Sequence, residues 1–95
     1  MMYAWVVLLR KSIGDSSYTI SQHAFQRMGE RGITIDDIER CALEGEFLRK
    51  QDHGEDIKVV MRGCDGNREP FLMGAALCWP NPRVITVMRE GEDSR

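Results

Sequence analysis

Three short breaks divide the second half of the chain into four strand-like runs, and this spacing constrains the fold more than any other feature. The runs are rich in apolar and β-branched residues: Phe47–Gln51, Ile57–Arg62, Phe71–Trp79 and Val84–Arg89. Glycine or proline occurs in each break, at residues 52–56, 63–70 and 80–83, as is typical of turns. Because connections this short favour antiparallel neighbours, the pattern predicts a four-stranded antiparallel sheet.

Two consecutive helices are predicted before these runs. Ser21 and Thr34 can cap helices over about Gln22–Arg31 and Ile35–Glu44, and a glycine directly follows each helix, where a left-handed stop is common. Asp37 stands three residues after Thr34, in a near-match to the capping box. The element order therefore predicts an α+β domain with its helices on one face of the sheet.

The leading segment has a pattern of its own. Apolar residues recur at spacings of three and four, at Trp5, Leu8, Leu9 and Ile13. This periodicity favours an amphipathic helix over Met2–Ile13, although the run Val6–Leu9 also fits a buried strand. The residues that follow, Tyr18–Ile20, are typical of a short strand.

Length and composition indicate one soluble globular domain. The chain has 95 residues, of which 42% are hydrophobic and 29% are charged, the balance of an ordinary globular protein. Its longest apolar run, Ala4–Leu9, is far shorter than the roughly twenty residues of a membrane-spanning helix, and no signal-peptide pattern is present. We therefore expect no membrane association and a cytoplasmic location.

Charge and cysteine spacing exclude several kinds of site. The net charge of −2 is not that of a broad nucleic-acid-binding surface. Three basic and eight acidic groups lie in residues 32–57, however, so the flanking parts are mildly basic and local phosphate binding stays possible. The three cysteines form no Cys-x-x-Cys pair, and no acidic cluster has metal-ligand spacing. The sequence thus predicts reduced thiols, no metal site and no cofactor.

One predicted helix face combines an imidazole with two guanidiniums. His23, Arg27 and Arg31 stand at i, i+4 and i+8, so on a helix they form one row. Histidine can take and give a proton near neutral pH, and arginine presents a fork of donors that fits phosphate. A solvated face is the commoner arrangement in amphipathic helices. In it the arginines pair with Glu30 or with acidic side chains of the second helix, and His23 caps or packs. His53, in a predicted hairpin tip, is a weaker candidate because polar residues are usual there.

The residues around this row resemble a bacterial family of small domains. The run His23-Ala-Phe-Gln-Arg27-Met-Gly-Glu-Arg31-Gly-Ile is similar to the family signature His-Ala-x-x-Arg-Met-x-x-Arg-Gly-Ile. This family is described as a domain of unknown function and is grouped with RelE-like and BrnT-like toxins in the barnase–EndoU–colicin–RelE superfamily of metal-independent ribonucleases. The resemblance covers about residues 18–90 of a single domain spanning 1–95, and residues 1–17 resemble a leading helix that only some members carry.

The resemblance implies a RelE-like fold and a toxin-type endoribonuclease, which drives the ribose 2′-oxygen onto the adjacent phosphate without a metal. It implies that His23 is the acid/base and that Arg27 and Arg31 stabilise phosphate. Further basic groups on the sheet would contact the RNA backbone: Lys58, Arg62 and Arg83.

The resemblance also implies a partner, a small DNA-binding antitoxin that covers the RNA-binding face. The alternative is a non-catalytic module on the same fold that binds RNA or a protein partner. The net charge of −2 and the few aromatic residues available for base stacking favour this alternative.

Overall fold

Eight elements of secondary structure make up residues 4–78 and 80–91, which are the residues that the computed structural model describes. The three helices are α1 (Ala4–Gly14), α2 (Gln22–Arg31) and α3 (Ile35–Glu44). The five strands are β1 (Thr19–Ile20), β2 (Glu46–His53), β3 (Asp56–Cys64), β4 (Pro70–Ala76) and β5 (Arg83–Arg89). All three predicted helices are confirmed, and Val6–Leu9 belongs to α1 rather than to a strand. The predicted starting residue Met2 and the predicted strand end Trp79 lie outside the described residues.

Side-chain caps fix the first turns of α2 and α3. The Ser21 hydroxyl accepts a hydrogen bond from the backbone N–H of Ala24 at 3.0 Å. Thr34 and Asp37 form a reciprocal capping box, with N···O distances of 3.1 and 3.0 Å. Helices of ten residues are marginal in isolation, so these caps, each worth about 1 kcal/mol, stabilise the first turns. The Ser21 cap holds the first turn of α2 and with it the backbone of His23.

The sheet is mixed, with the strand order β1-β5-β4-β3-β2. The pairs β2–β3, β3–β4 and β4–β5 are antiparallel, as the short connections predicted. The prediction of a four-stranded, purely antiparallel sheet is nevertheless wrong, because β1 is a fifth strand that pairs parallel to β5. Two backbone hydrogen bonds hold it: Thr19 N–H to Pro82 O at 3.0 Å and Ser21 N–H to Val84 O at 2.9 Å. A two-residue strand has no alternation from which its neighbour or direction could be predicted.

The helices cover one face of this sheet. α2 packs on β5, α3 packs on β3, and α1 packs on α3. Alternate strand residues form the buried layer beneath them: Val59, Met61, Phe71, Met73, Ala75, Val84 and Val87. α2 contributes Ala24 and Met28 to the same core. Burial of these side chains is the main source of stability for a domain of this size.

The opposite side of the sheet carries no helix within the described residues, and we call it the open face. Its residues come from four strands: Glu46, Arg49, Gln51, Lys58, Val60, Arg62, Leu72, Gly74, Ala76, Arg83, Thr86 and Met88. None of the helices described is both long and apolar enough to cross a membrane.

Candidate functional site

The row of His23, Arg27 and Arg31 lies on α2. His23 is exposed in the first turn, while the side chains of Arg27 and Arg31 are 42% and 19% exposed. Successive i, i+4 positions rotate by about 40° around a helix with 3.6 residues per turn, so the row leaves solvent and approaches the sheet toward the end of α2. Only its first part is fully accessible.

A single carboxylate joins the two guanidiniums of the row. Glu30 Oε1 lies 3.2 Å from Arg27 Nη1 and 3.2 Å from Arg31 Nη1. Its other oxygen accepts a hydrogen bond from Gln26 at 3.3 Å. The paired arrangement considered in the sequence is therefore present. Exposed pairs of this kind contribute at most about 1 kcal/mol, so a phosphate group could displace Glu30 at small cost.

A partly buried ion pair anchors the end of α2 to the sheet. The Arg89 guanidinium donates to the backbone carbonyl of Arg31 at 2.7 Å and lies 2.9 Å from Asp65 Oδ2. Asp65 also accepts backbone N–H bonds from Glu69 and Asn67 at 3.0 and 2.8 Å. The pKa of the Asp65 carboxyl lies below its usual value. The largest cause is the hydrogen bond from the backbone N–H of Glu69, and the Arg89 guanidinium and the N–H of Asn67 lower the pKa further. These residues organise the β3–β4 connection, and we assign them a structural role.

Strand pairing aligns the open-face side chains in three rows across the sheet. The first row is Gln51, Lys58, Ala76 and Arg83; the second is Arg49, Val60, Gly74 and Thr86; the third is Glu46, Arg62, Leu72 and Met88. The three predicted backbone-binding residues, Lys58, Arg62 and Arg83, therefore share one face. α2 packs on the other side of the sheet, so the structure does not bring these three together with His23, Arg27 and Arg31 in one site.

The cations of the open face differ in how far they are neutralised. Arg62 Nε lies 2.9 Å from Glu90 Oε1, and Arg62 Nη1 lies 3.6 Å from Glu46 Oε1. The bond to Glu90 raises the pKa of Arg62 further above its already high value. By contrast, Lys58 and Arg83 form no ion pair with a carboxylate among the residues described. Lys58 and Arg83 therefore contribute most of the positive field that a ligand would meet.

Arg49 is a fourth cation of the open face, and the sequence did not predict it. Phe47 pairs with Met61 on the covered face, and uninterrupted alternation would place Arg49 on that face too. A bulge between Phe47 and Arg49 shifts the register, so that Arg49 pairs with Val60. A bulge inserts one unpaired residue and reverses the facing of those that follow. Strand alternation alone gives no signal for it.

A cavity of about 310 Å³ lies beside the end of α3, lined by Arg40, Cys41, Gly45, Arg62, Gly63 and Cys64, among others. Burial, and secondarily the nearby Cys64 thiol, raises the pKa of Cys41 to about 12. A thiol with that pKa is protonated near neutral pH and is a poor nucleophile. Cys41 therefore packs as a small apolar residue against Gly63.

Metal-ligating groups are dispersed over the part of the chain described. No three His, Cys, Asp or Glu side chains are grouped there as a metal site would require. The backbone of His53 pairs with Asp56 at the end of β2, and its side chain lies outside the described atoms.

These observations define a class: a small α+β domain with three helices on one side of a mixed sheet and a basic face on the other. Residues 20–89 match the family model "Domain of unknown function (DUF4258)", and since this match covers most of the chain, the protein belongs to the DUF4258 family. The match includes the α2 row and the four longer strands, and it begins after α1. No curated protein and no solved structure matches the chain.

Proposed function

We propose that this protein is an RNA-binding module that holds a single-stranded RNA backbone on the open face of its sheet. The observation that carries the proposal is the position of Lys58, Arg83 and Arg49 on one face that no described helix covers, where no ion pair with a described carboxylate neutralises the first two. Cationic side chains that meet phosphate oxygens supply most of the affinity in such complexes.

The shape of the face favours a single strand over a duplex. Direct readout of duplex DNA uses a helix or a two-stranded ribbon inserted into the major groove. The helices of this domain all pack on the covered face, whereas sheet surfaces commonly hold splayed, unpaired nucleotides. The net charge of −2 is compatible with the proposal because the positive groups are concentrated on one side.

The experiment compares two neighbouring cations that lie on opposite faces of β2. Arg49 pairs with Val60 on the open face, and Lys50 pairs with Val59 on the covered face, its ammonium 5.3 Å from the Trp5 ring centroid. Binding of a fluorescently labelled twelve-nucleotide RNA is measured by anisotropy for the wild type, Arg49→Ala and Lys50→Ala. Loss of one phosphate contact in Arg49→Ala should weaken binding about five- to tenfold, while Lys50→Ala should change it less than twofold.

Each substitution removes one positive charge. The comparison therefore distinguishes RNA binding at the open face from an effect of net charge alone. Circular dichroism on both variants establishes that they are folded. Equal losses in the two variants, or no RNA binding by the wild type in low salt, would contradict the proposal.

A second candidate function is a toxin-type endoribonuclease centred on the α2 row. The observation that favours it is the exposed His23 followed on the same row by Arg27, whose guanidinium is held only by an exposed ion pair. His23 would exchange a proton with the ribose 2′-oxygen, and Arg27 and Arg31 would stabilise the charged phosphorane. The signature from His23 to Ile33 and its resemblance to RelE-like toxins support this candidate and a RelE-like arrangement of the fold.

Both candidates include a protein partner. By resemblance, the partner is a small DNA-binding antitoxin, and we propose that an acidic segment of it covers the open face in place of RNA. Opposite charge across an interface accelerates association and selects the partner. Co-expression with the product of the neighbouring reading frame tests this proposal: Lys58→Ala should weaken co-purification, and recovery of the chain alone would count against the partner.

A further inference from the structure

A small pocket lies at the centre of the open face. Its volume is about 160 Å³, and an engineered apolar cavity of about 150 Å³ is known to hold benzene. Val60 and Leu72 line the pocket although each is only 5% exposed, so they form its floor. The pocket therefore has room for one six-membered ring on an apolar surface.

Gly74 keeps this pocket open. It lies between Val60 and Thr86 in the second row of the open face. A Cβ at this position would come within 3.3 Å of both Lys58 Cδ and Thr86 Cβ. Any side chain here would occupy the space above the floor and press on the two neighbouring strands.

Two kinds of polar group surround the floor of the pocket: neutral hydrogen-bonding groups and positively charged groups. Gln51 and Thr86 line the pocket and supply an amide and a hydroxyl, each of which can donate and accept hydrogen bonds. Arg49 and Lys58 also line it and supply positive charge. A flat ring with donor and acceptor groups on its edge and a phosphate on either side matches this combination.

We propose that the pocket binds one pyrimidine base of the RNA strand, with its ring on Val60 and Leu72. Gln51 and Thr86 hydrogen-bond the edge of the base, and Arg49 and Lys58 contact the adjoining phosphates. The apolar side chains of Val60 and Leu72 replace aromatic residues as the surface under the base. Because the apolar floor consists of two side chains, the second ring of a purine would extend past it onto the polar groups of Gln51 and Thr86. This inference rests on the proposed RNA-binding function and adds a base preference to it.

The test uses nine-nucleotide RNA strands in which every position is abasic except the central one. Anisotropy measures the affinity of the full chain for the strand with a central uracil, with a central adenine, and with no base. The base displaces water from the apolar floor and gains hydrogen bonds to Gln51 and Thr86, so uracil should tighten binding about tenfold over the fully abasic strand. Adenine should tighten it less than twofold.

Two variants locate the effect. Gly74→Ala places a methyl group in the pocket, where the ring would lie, and should reduce the gain from uracil to less than twofold, while Lys11→Ala on α1 should retain the full gain. Thr86→Val keeps the shape of the side chain but removes the hydroxyl, and it should lower the gain at least threefold. If circular dichroism shows that Gly74→Ala is unfolded, the result for Thr86→Val decides the test.

The outcomes separate the pocket from the RNA-binding face. Binding of all three strands with equal affinity would overturn the pyrimidine pocket and leave the proposed function standing, whereas binding of none would overturn both. An unchanged uracil gain in the folded pocket variants would also overturn the assignment. Free uridine monophosphate should compete only at concentrations at least a hundredfold above those of the uracil strand. Competition at equal concentration would assign the pocket to a free nucleotide and overturn the proposal.

Discussion

Lys58 on β3 and Arg83 on β5 flank the same residue, Ala76 of β4, on the open face of the sheet. Strands lie about 4.8 Å apart, so the backbones that carry these two cations are separated by about 10 Å. Ala76 itself is buried. The two cations therefore project from strands on either side of β4.

We predict that these two cations make independent phosphate contacts. For a single strand, the logarithm of the binding constant falls with the logarithm of salt concentration by about 0.7 per neutralised phosphate. Lys58→Ala and Arg83→Ala should therefore each reduce the slope by about 0.7, and the double variant by about 1.4. Titrations at several salt concentrations measure the slopes, and wild-type slopes in all three variants would show that neither residue meets phosphate.

The carboxylate of Glu90 should restrain RNA binding by occupying Arg62. Their atoms are 2.9 Å apart, so Glu90→Gln should release part of the guanidinium charge and tighten RNA binding about two- to threefold. Asp36→Asn, at the exposed start of α3 on the covered side of the sheet, changes the net charge equally and serves as the control. Equal tightening in both variants would point to net charge alone.

Two glycine substitutions should have opposite effects on stability. A Cβ at position 63 would lie 2.9 Å from both Cβ and Sγ of Cys41, so Gly63→Ala should lower the free energy of unfolding by about 1–3 kcal/mol through overpacking. In contrast, a Cβ at Gly29 in α2 meets nothing within 4 Å, and Gly29→Ala should raise it by about 0.5–1 kcal/mol. Urea denaturation measures both values. A Gly63→Ala protein as stable as the wild type would mean that Cys41 moves aside without cost.

The pKa of Asp65 predicts how stability depends on pH. Its carboxylate is favoured in the folded state, so the folded pKa is lower than the unfolded one. Its stabilising contribution is then fully present above the unfolded pKa, near 4, and is lost as the pH falls through the folded value. Asp65→Asn should therefore be less stable than the wild type at pH 7, and the two unfolding curves should converge in acid. A difference that persists unchanged at the lowest pH would exclude the carboxylate charge as its cause.

The catalytic candidate is tested by His23. If this imidazole moves a proton during RNA cleavage, His23→Ala should lower the single-turnover rate about 10²–10⁴-fold. Arg27→Lys should retain more activity than Arg27→Ala, since the charge remains but the fork geometry is lost. EDTA should leave the rate unchanged. A folded His23→Ala protein that cleaves at the wild-type rate would remove His23 from the mechanism.

Local signals were sufficient to predict the helices. Ser21 and Thr34 act as caps and each helix ends before a glycine, so α2 and α3 have the predicted bounds. These signals operate within a few residues of chain and depend little on tertiary context. The antiparallel pairs β2–β3, β3–β4 and β4–β5 were predictable for a similar reason, because the three connections between these strands are short.

Long-range and irregular features could not be predicted in this way. The partner of β1 is more than sixty positions away in the chain, and two residues carry no pattern that specifies it. The bulge after Phe47 reverses the facing of Arg49 and so adds a cation to the open face. The α2 row lies apart from Lys58, Arg62 and Arg83 because α2 covers the other face of the sheet. α2 lies on that face because Ala24 and Met28 pack in the core there.

The parallel pairing of β1 with β5 also has a consequence for the folding of the chain. Thr19 and Ile20 pair with Arg83 and Val84. β1, the first strand in the sequence, therefore has no partner in the sheet until β5, the last strand, is in place. Bringing β1 and β5 together closes a loop of more than sixty residues, and the chain loses conformational entropy before the contacts between the two strands can form. During synthesis on a ribosome, α2 and the β2–β3–β4 meander can form first, but the edge of the sheet beside α2 remains open until β5 has emerged. The last step of folding is thus expected to be the docking of β5 between β4 and β1.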